Sequence, residues 1–407
     1  MLSSIVRRRN PLGSLSPAIR RRLTGNCPGA ATASPSPLKG GSAPTIERGG
    51  QEPATASVAS RGSWLRRVAQ SAGEYAETKR RLEQALQADG EGSYSLTTKL
   101  TNLYYDIMAE QMEHTWGESF HFARKATGES NRESIRRHEH FLFSMAQIRP
   151  RMKVLDVGCG IGGPARECVR MTGAHVTGLN ISDYQLQRAR DLTARCDMVD
   201  SITFVKGDFM AMPFVADSFD AVYAIEALAY APSLVDAYHQ VYRVLKPGGC
   251  FATYEICLTD KYNHDDPRHR KAAQDVAYGW GFGKLHHTSD CVEAARAAGF
   301  EQVTFAQDMA AHMGAGNDIP WYNDFSNELV DFSSFHRFLC SRVSRAAVES
   351  AFWAAERLGM APKGSTEFQR IATAAVQGMV EGGKMGIFTP MFMVVAQKAH
   401  NSSPLEV

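Results

Sequence analysis

The sequence predicts an α/β fold built on a doubly wound parallel sheet, and three observations carry that prediction. An apolar run holding an acid, Lys153-Val-Leu-Asp156-Val157, passes into Gly158-Cys-Gly160-Ile-Gly162-Gly-Pro164. It reads as strand, tight turn, and helix opened by proline. Strand-like and helix-like stretches then alternate regularly as far as Gln307. Finally, Phe388 to Lys398, with Met391-Phe-Met-Val-Val-Ala396, reads as one more strand after a long helical stretch.

Taken in order, the chain opens on a leader. Its first 46 residues contain no acid and include Arg7, Arg8, Arg9, Arg20, Arg21 and Arg22 among Ser, Ala, Leu and Ile. That composition suits an organelle transit peptide, so mitochondrial import is expected, with the endoplasmic reticulum membrane surface as the alternative address. From about 25 to 61 the chain is too rich in Pro, Gly, Ser and Ala to bury a core, and 1–62 is read as targeting segment and linker.

An N-terminal helical segment, 63–150, follows, with helices expected at 63–87, 98–113 and 132–147. Between the last two, His114-Thr-Trp116-Gly-Glu118-Ser-Phe120-His121-Phe122 sets aromatic and imidazole side chains beside Glu113 and Glu118. It can form either an apolar wall with acids in it or a helix cap packed on the core.

The core, 151–308, carries the glycine turn and five further strands. Strands are expected at His175–Asn180, Ile202–Lys206, Phe219–Glu226, Cys250–Cys257 and Glu301–Gln307. Helices are expected from Ser182 to Arg195, Leu234 to Leu245 and Thr288 to Ala298, the first capped by Ser182 and the last ended by Gly299. Residues 309–387 form a helical region expected to sit over the ligand crevice, and 388–400 returns the chain to the sheet.

A hydrophobic share of 44% allows a sizeable core, and no apolar run is long enough to span a bilayer. A formal charge of +2 gives no reason to expect a nucleic-acid partner. Eight cysteines lie scattered without close pairs, which suggests buried reduced thiols and neither a zinc site nor a disulfide framework; no metal is expected.

The glycine turn is where chemistry is expected. Glycines at 158, 160 and 162 remove the Cβ atoms that would keep backbone from a ligand, and the next helix offers free N–H groups. The spacing is not the dinucleotide fingerprint, and the lysine of a phosphate loop is missing. Asp156 instead suits an ammonium, which points to S-adenosyl-L-methionine. Asn180 is placed at the ribose, and Gln185 in the following helix is a further cofactor-binding candidate; Asp208 is placed at the adenine amino group and Phe209 on its face.

With these residues in view, the chain from about 113 to 398 resembles the sterol 24-C-methyltransferases. The resemblance rests on Trp116-Gly-Glu-Ser-Phe-His-Phe122, Arg137-His-Glu-His140, Leu155 to Arg166, Gly178-Leu-Asn180, Val205 to Met210 and Tyr223-Ala-Ile-Glu-Ala227. It continues through Val244-Leu-Lys-Pro-Gly-Gly249, Tyr254-Glu255, Thr259-Asp-Lys-Tyr262, Ile319-Pro-Trp-Tyr322, Leu358-Gly-Met-Ala-Pro362 and Gly382-Gly-Lys384. The last three lie in 309–387, which in this family is a sterol methyltransferase C-terminal region.

The resemblance implies a seven-stranded, Rossmann-like class I methyltransferase sheet with an antiparallel last strand. It also implies methyl transfer to C24, in the side-chain double bond of a Δ24-sterol or related isoprenoid, through a carbocation that ends in hydride shift and proton loss. Aromatic faces and carboxylates stabilise such a cation. Glu113, His121, Glu226 and Tyr230 are the implied catalytic candidates, with Glu255 a further carboxylate. Trp116 and Phe120 are the implied substrate-binding residues, and Tyr278 and Trp280, large rings alternating with Gly279 and Gly281, are expected from the residues themselves to line the acceptor pocket.

Three departures fall in the acceptor region. Met112-Glu-His-Thr-Trp-Gly117 replaces a Tyr-Glu-Tyr-Gly-Trp-Gly pattern, Tyr230 stands in for a histidine, and Tyr278-Gly-Trp-Gly-Phe282 replaces an acidic segment. An N- or O-methyltransferase for a small polar metabolite remains an alternative, as does a silent cofactor-binding scaffold. Peripheral membrane contact and self-association stay open.

Overall fold

Strands buried on both faces need apolar side chains at consecutive positions, and Val154, Leu155 and Val157 supply them around Asp156. The computed structural model describes residues 116–311, 318–325, 342–361 and 364–400, preceded by 74, 75, 77, 78, 81, 84, 96, 98–103, 112 and 113. The leader 1–62, much of the first two expected helices and His114 lie outside the described residues.

In chain order the elements are β1 (Lys125–Ala126), α1 (Asn131–Met145), β2 (Lys153–Val157), α2 (Gly163–Thr172), β3 (His175–Asn180), α3 (Asp183–Arg195), β4 (Ile202–Lys206) and β5 (Phe219–Ile225). There follow α4 (Leu234–Val244), β6 (Leu245–Leu258), α5 (Pro267–Trp280), β7 (His286–His287), α6 (Thr288–Ala297), β8 (Gln302–Asp308), β9 (Asp318–Ile319), α7 (Arg342–Arg357), α8 (Ser365–Met385) and β10 (Phe388–Gln397).

The main sheet runs β4-β3-β2-β5-β6-β10-β8, with β7 added beside β6. β2 to β6 pair in parallel, whereas β10 is antiparallel to both β6 and β8. The connection reverses direction between β2 and β5, which opens a crevice at their carboxyl ends.

Successive strand residues feed opposite layers. Leu155, Val157 and Val222 pack with Tyr238 and Val241 of α4. Val154, Ala221 and Tyr223 pack with Leu142 and Phe143 of α1 and Ala165 of α2.

Several elements differ from expectation. β6 begins five residues early, because Leu245 pairs with Phe219 before the Pro247-Gly-Gly segment shifts the register. β7 makes eight strands of the expected seven, and its two residues are too few to leave a hydrophobic pattern.

The segment holding Tyr278, Gly279 and Trp280 is the end of a helix not expected from the sequence. Asp266 caps it by accepting the Arg268 N–H at 2.8 Å, Pro267 opens it, and Gly281 ends it in the left-handed conformation. Gly279 is a packing residue: a Cβ there would lie 2.1 Å from Ala375 Cβ on α8. Cys257 and Cys291, distant in sequence, meet as free buried thiols with sulfurs 3.3 Å apart.

Candidate active site

The carboxyl ends of the parallel strands line a cavity with about 1290 Å³ of empty space, counting its mouth.

One part of the lining is polar. Asp156 closes β2, Asn180 closes β3, Gln185 stands in the first turn of α3, and Asp208 with Phe209 follow β4. Asp156 is buried, its Oδ2 has no hydrogen-bond partner, and burial pushes its carboxyl up to about 7. A buried carboxyl whose Oδ2 is unpartnered, and which the neighbouring Tyr223 hydroxyl and His121 pull toward the ionised form, is set for a cation, which fits the ammonium of S-adenosylmethionine.

Gly158 and Gly160 both line the cavity, but Gly158 is kept bare by packing and only Gly160 leaves space for a ligand. A Cβ on Gly158 would strike Ala227 Cβ at 2.3 Å, whereas one on Gly160, held at φ +53°, would project into open space. The turn is therefore bare where a ligand's chain must pass. Gly162 precedes α2 at φ +78°.

Asn180 is more committed internally than expected. Its Nδ2 donates to Gln185 Oε1 at 2.7 Å and to the Gly160 carbonyl at 3.3 Å, and its Oδ1 accepts the Ile181 N–H at 2.8 Å. Those bonds fix the Gln185 side chain and the glycine turn together. Asp208 accepts the Met210 N–H at 2.8 Å, which closes the turn that presents Phe209.

The other part is aromatic. Trp116, Phe120 and Phe122 come from the strap before α1, Tyr230 from the turn after β5, and Trp280 from the end of α5. Phe122 is the hub: its ring lies 5.6 Å from Trp116, edge-on, and 5.8 Å from Trp280, stacked. Tyr230 rests on Phe282 at 4.5 Å.

Glu226 and His121 lie where the two parts meet. Glu226 Oε1 accepts the Phe122 N–H at 2.7 Å, and the residue is held at φ +56°, a conformation costing a side-chain-bearing residue about 1–2 kcal/mol. Burial raises its carboxyl to about 8, against the pull of His121 and the Phe122 amide. His121 is buried, with Nδ1 on the Phe122 carbonyl at 2.8 Å and Nε2 on Glu139 Oε1 at 3.1 Å. Burial would lower its imidazole, but the Glu139 bond and charge, with Glu226, hold it above the ordinary value.

Four of the expected site residues, Gly162, Glu113, Tyr278 and Glu255, do not line the cavity; a Cβ on Gly162 would meet Phe204 at 2.8 Å and Arg166 at 2.9 Å, so this glycine serves the packing of the turn. Glu113 is paired with Arg188 of α3, with Arg188 Nε donating at 2.8 Å. Tyr278 lies on the helical end of α5 outside the lining, its carbonyl taking the Tyr75 hydroxyl at 3.4 Å. Glu255 points into the opposite layer, where its Oε1 accepts from Tyr238 and Thr253. Among the described residues, none of 309–387 lines the cavity; α8 instead backs α5, from which Trp280 reaches it.

Sequence reading held Phe122 only as part of the aromatic segment and gave no site role to Ile256, Glu139 or the lining from Thr98, Thr101, Asn102 and Met112. Glu139 left a signal: it falls on the buried stripe of α1 with Ile135, His138 and Leu142, where an acid needs a partner. The others are placed by chain crossings that leave no local mark.

Comparison with known proteins accords with this site. Residues 155–253 match the methyltransferase domain family, and residues 335–399 match the sterol methyltransferase C-terminal family. Cycloartenol-C-24-methyltransferase 1 of Oryza sativa subsp. japonica is 44% identical over 301 residues, 74% of this chain and 85% of the relative. A sterol 24-C-methyltransferase of Saccharomyces cerevisiae is 43% identical over 308 residues, 74% of this chain and 79% of the relative.

Among solved structures, a sarcosine dimethylglycine methyltransferase from Galdieria sulphuraria aligns with TM-score 0.52 at 21% identity, covering 74% of this chain and 98% of that one. A geranyl diphosphate methyltransferase in complex with GPP and sinefungin aligns with TM-score 0.52 at 15% identity, covering 71% and 93%. These two likenesses speak for the class I methyltransferase fold alone. On the identity and coverage of its sequence relatives, the chain belongs to the sterol 24-C-methyltransferase family.

Proposed function

We propose that this protein is an S-adenosylmethionine-dependent C-methyltransferase that methylates the side-chain double bond, at C24, of a Δ24-sterol or a related isoprenoid. The observation that carries the reading is the meeting of a buried carboxyl, Glu226, with an aromatic wall in a cavity whose other part fits the cofactor. Bound there, the cofactor supplies an electrophilic methyl group, and the alkene that takes it becomes a carbocation that ends by hydride shift and proton loss.

The chain's own residues do the rest. Asp156 Oδ2 would hold the ammonium, and Phe209 would face the purine. Trp116, Phe122, Tyr230 and Trp280 exclude water and turn ring faces or edges to an apolar side chain. Once ionised, which burial delays to about pH 8, Glu226 adds a negative charge that needs no reorganisation when the cation forms, since the Phe122 N–H already fixes it.

Incubation of the purified protein with labelled S-adenosylmethionine and a panel of sterols, isoprenoid alkenes and small polar amines and alcohols tests the reading. A product labelled at the side chain of one sterol or isoprenoid is expected. Label in an amine or alcohol alone would favour the polar-metabolite alternative.

The acid-free, arginine-rich leader supports mitochondrial import of the same enzyme. A fluorescent fusion of residues 1–60 is expected in mitochondria; cytosolic fluorescence would remove the transit-peptide reading, and reticular fluorescence would favour the endoplasmic reticulum.

A further inference from the structure

A single buried proton between the strap and α1 bears on how the cavity keeps its charge. The Phe122 carbonyl can only accept, so His121 Nδ1, 2.8 Å away, carries a hydrogen. Nε2 faces Glu139 Oε1 at 3.1 Å, and one further proton must lie between them, on the imidazole or on the carboxyl. Ser119 Oγ decides which, because it donates to the same Oε1 at 2.7 Å. A carboxylate oxygen that takes two donors is stabilised as the anion, which leaves the proton on the ring.

Glu139 and His121 are each only 2% exposed, so the pair is a buried imidazolium–carboxylate couple and both ring nitrogens are occupied. His121 therefore has no free lone pair with which to take a proton from a substrate. Its charge acts sideways. Phe122 binds both partners, its carbonyl on His121 Nδ1 and its N–H on Glu226 Oε1.

We propose that Glu139 is a positioning residue: it locks His121 as an imidazolium, and that cation, joined through the Phe122 backbone, favours the ionised form of Glu226 and aims it at the acceptor part of the cavity. This rests on the function proposed above and narrows it, since it removes His121 from the candidates for final proton acceptor. The groups facing His121 are Glu139 and His138 from α1, Asp156 from β2 and Glu226 from the turn after β5. Those facing Glu226 are His121 and, through β6, Glu255. Of all these, His121 is the one cation close to Glu226. His138 is held neutral by burial and is stacked on Tyr254 at 3.7 Å.

Two measurements on the full chain test this. Long-range proton–nitrogen NMR of histidine-labelled protein, with His121 assigned through His121→Gln, reads the ring directly and needs no substrate. At pH 7.5 both His121 nitrogens are expected to be protonated in the parent, and Nε2 unprotonated in Glu139→Gln. An unprotonated Nε2 in the parent overturns the proposal.

The second measurement is kcat against pH on the accepted substrate. Glu139→Gln is expected to move the acid limb up by about one pH unit while the high-pH plateau stays within about threefold. A loss of the same factor at every pH, with the limb in place, is the signature of a merely structural role and also overturns the proposal. Glu139→Asp is expected to return the limb most of the way. Failure of every sterol and isoprenoid to turn over counts against the proposed function alone, and the NMR result then decides the role of Glu139.

Discussion

The main-chain N–H of Phe122 donates to Glu226 Oε1 at 2.7 Å, joining the strap before the sheet to the turn after its fourth parallel strand. One bond thus sets a carboxyl against the ring cluster of Phe122, Trp116 and Trp280.

Glu226→Gln keeps an acceptor for that N–H and removes the charge. Turnover on the true alkene should fall about a hundredfold, the loss typical of one preorganised electrostatic partner, while cofactor affinity changes by less than about threefold. Steady-state kinetics beside calorimetry check this; unchanged turnover would place the cation beyond the carboxylate.

Asp156 gives cofactor binding a pH dependence. Burial raises its carboxyl to about 7, and only the ionised form can hold the ammonium. Affinity should therefore fall about tenfold per pH unit below 7 and level off above about 8. Asp156→Ala should weaken binding at pH 8 by at least about tenfold and flatten the profile. Titration calorimetry between pH 5.5 and 8.5 reads both.

Trp280 and Tyr278 should behave oppositely although two residues apart. Trp280 lines the cavity stacked on Phe122, whereas Tyr278 lies outside the lining. Trp280→Leu removes a ring face worth up to about 2 kcal/mol to a desolvated cation, so turnover should fall by up to about thirtyfold with cofactor affinity unchanged. Tyr278→Leu should leave kcat within about twofold. Equal kinetics for both variants would place the acceptor elsewhere.

Gly279→Val is expected to destabilise without touching the site. A Cβ at 279 meets Ala375 Cβ at 2.1 Å and the Ile371 carbonyl at 3.0 Å, so α5 and α8 must part. Overpacking of this kind costs about 1–3 kcal/mol, seen as a lower thermal midpoint, and Gly279→Ala should show a smaller drop. An unchanged midpoint would mean that the helices shift freely.

Much of this molecule is legible along the chain because its causes are local. The apolar run around Asp156, the glycines that follow and the Asn180, Asp208 and Glu226 strand ends each mark a strand or a turn by neighbours a few residues away. A parallel sheet then brings those ends to one edge, since every crossover returns the chain in the same direction. The cofactor part of the cavity follows from that logic. Helix α5 was not expected, although Asp266-Pro267 is a local start signal, because the glycines at 279 and 281 are explained only by Ala375 and the helix end.

The sequence by itself therefore determined the sheet, its glycine turn and the family, because strand pattern and turn chemistry act over a few residues. Only the tertiary structure decided which acids and rings face the acceptor. It turned Glu255 into the opposite layer, paired Glu113 with Arg188, and joined Glu139 to His121 and Glu226 to Phe122. Those pairings depend on how the strap, α1 and α5 cross the sheet edge. A buried charge takes whichever partner that crossing brings within reach, and no local pattern records it.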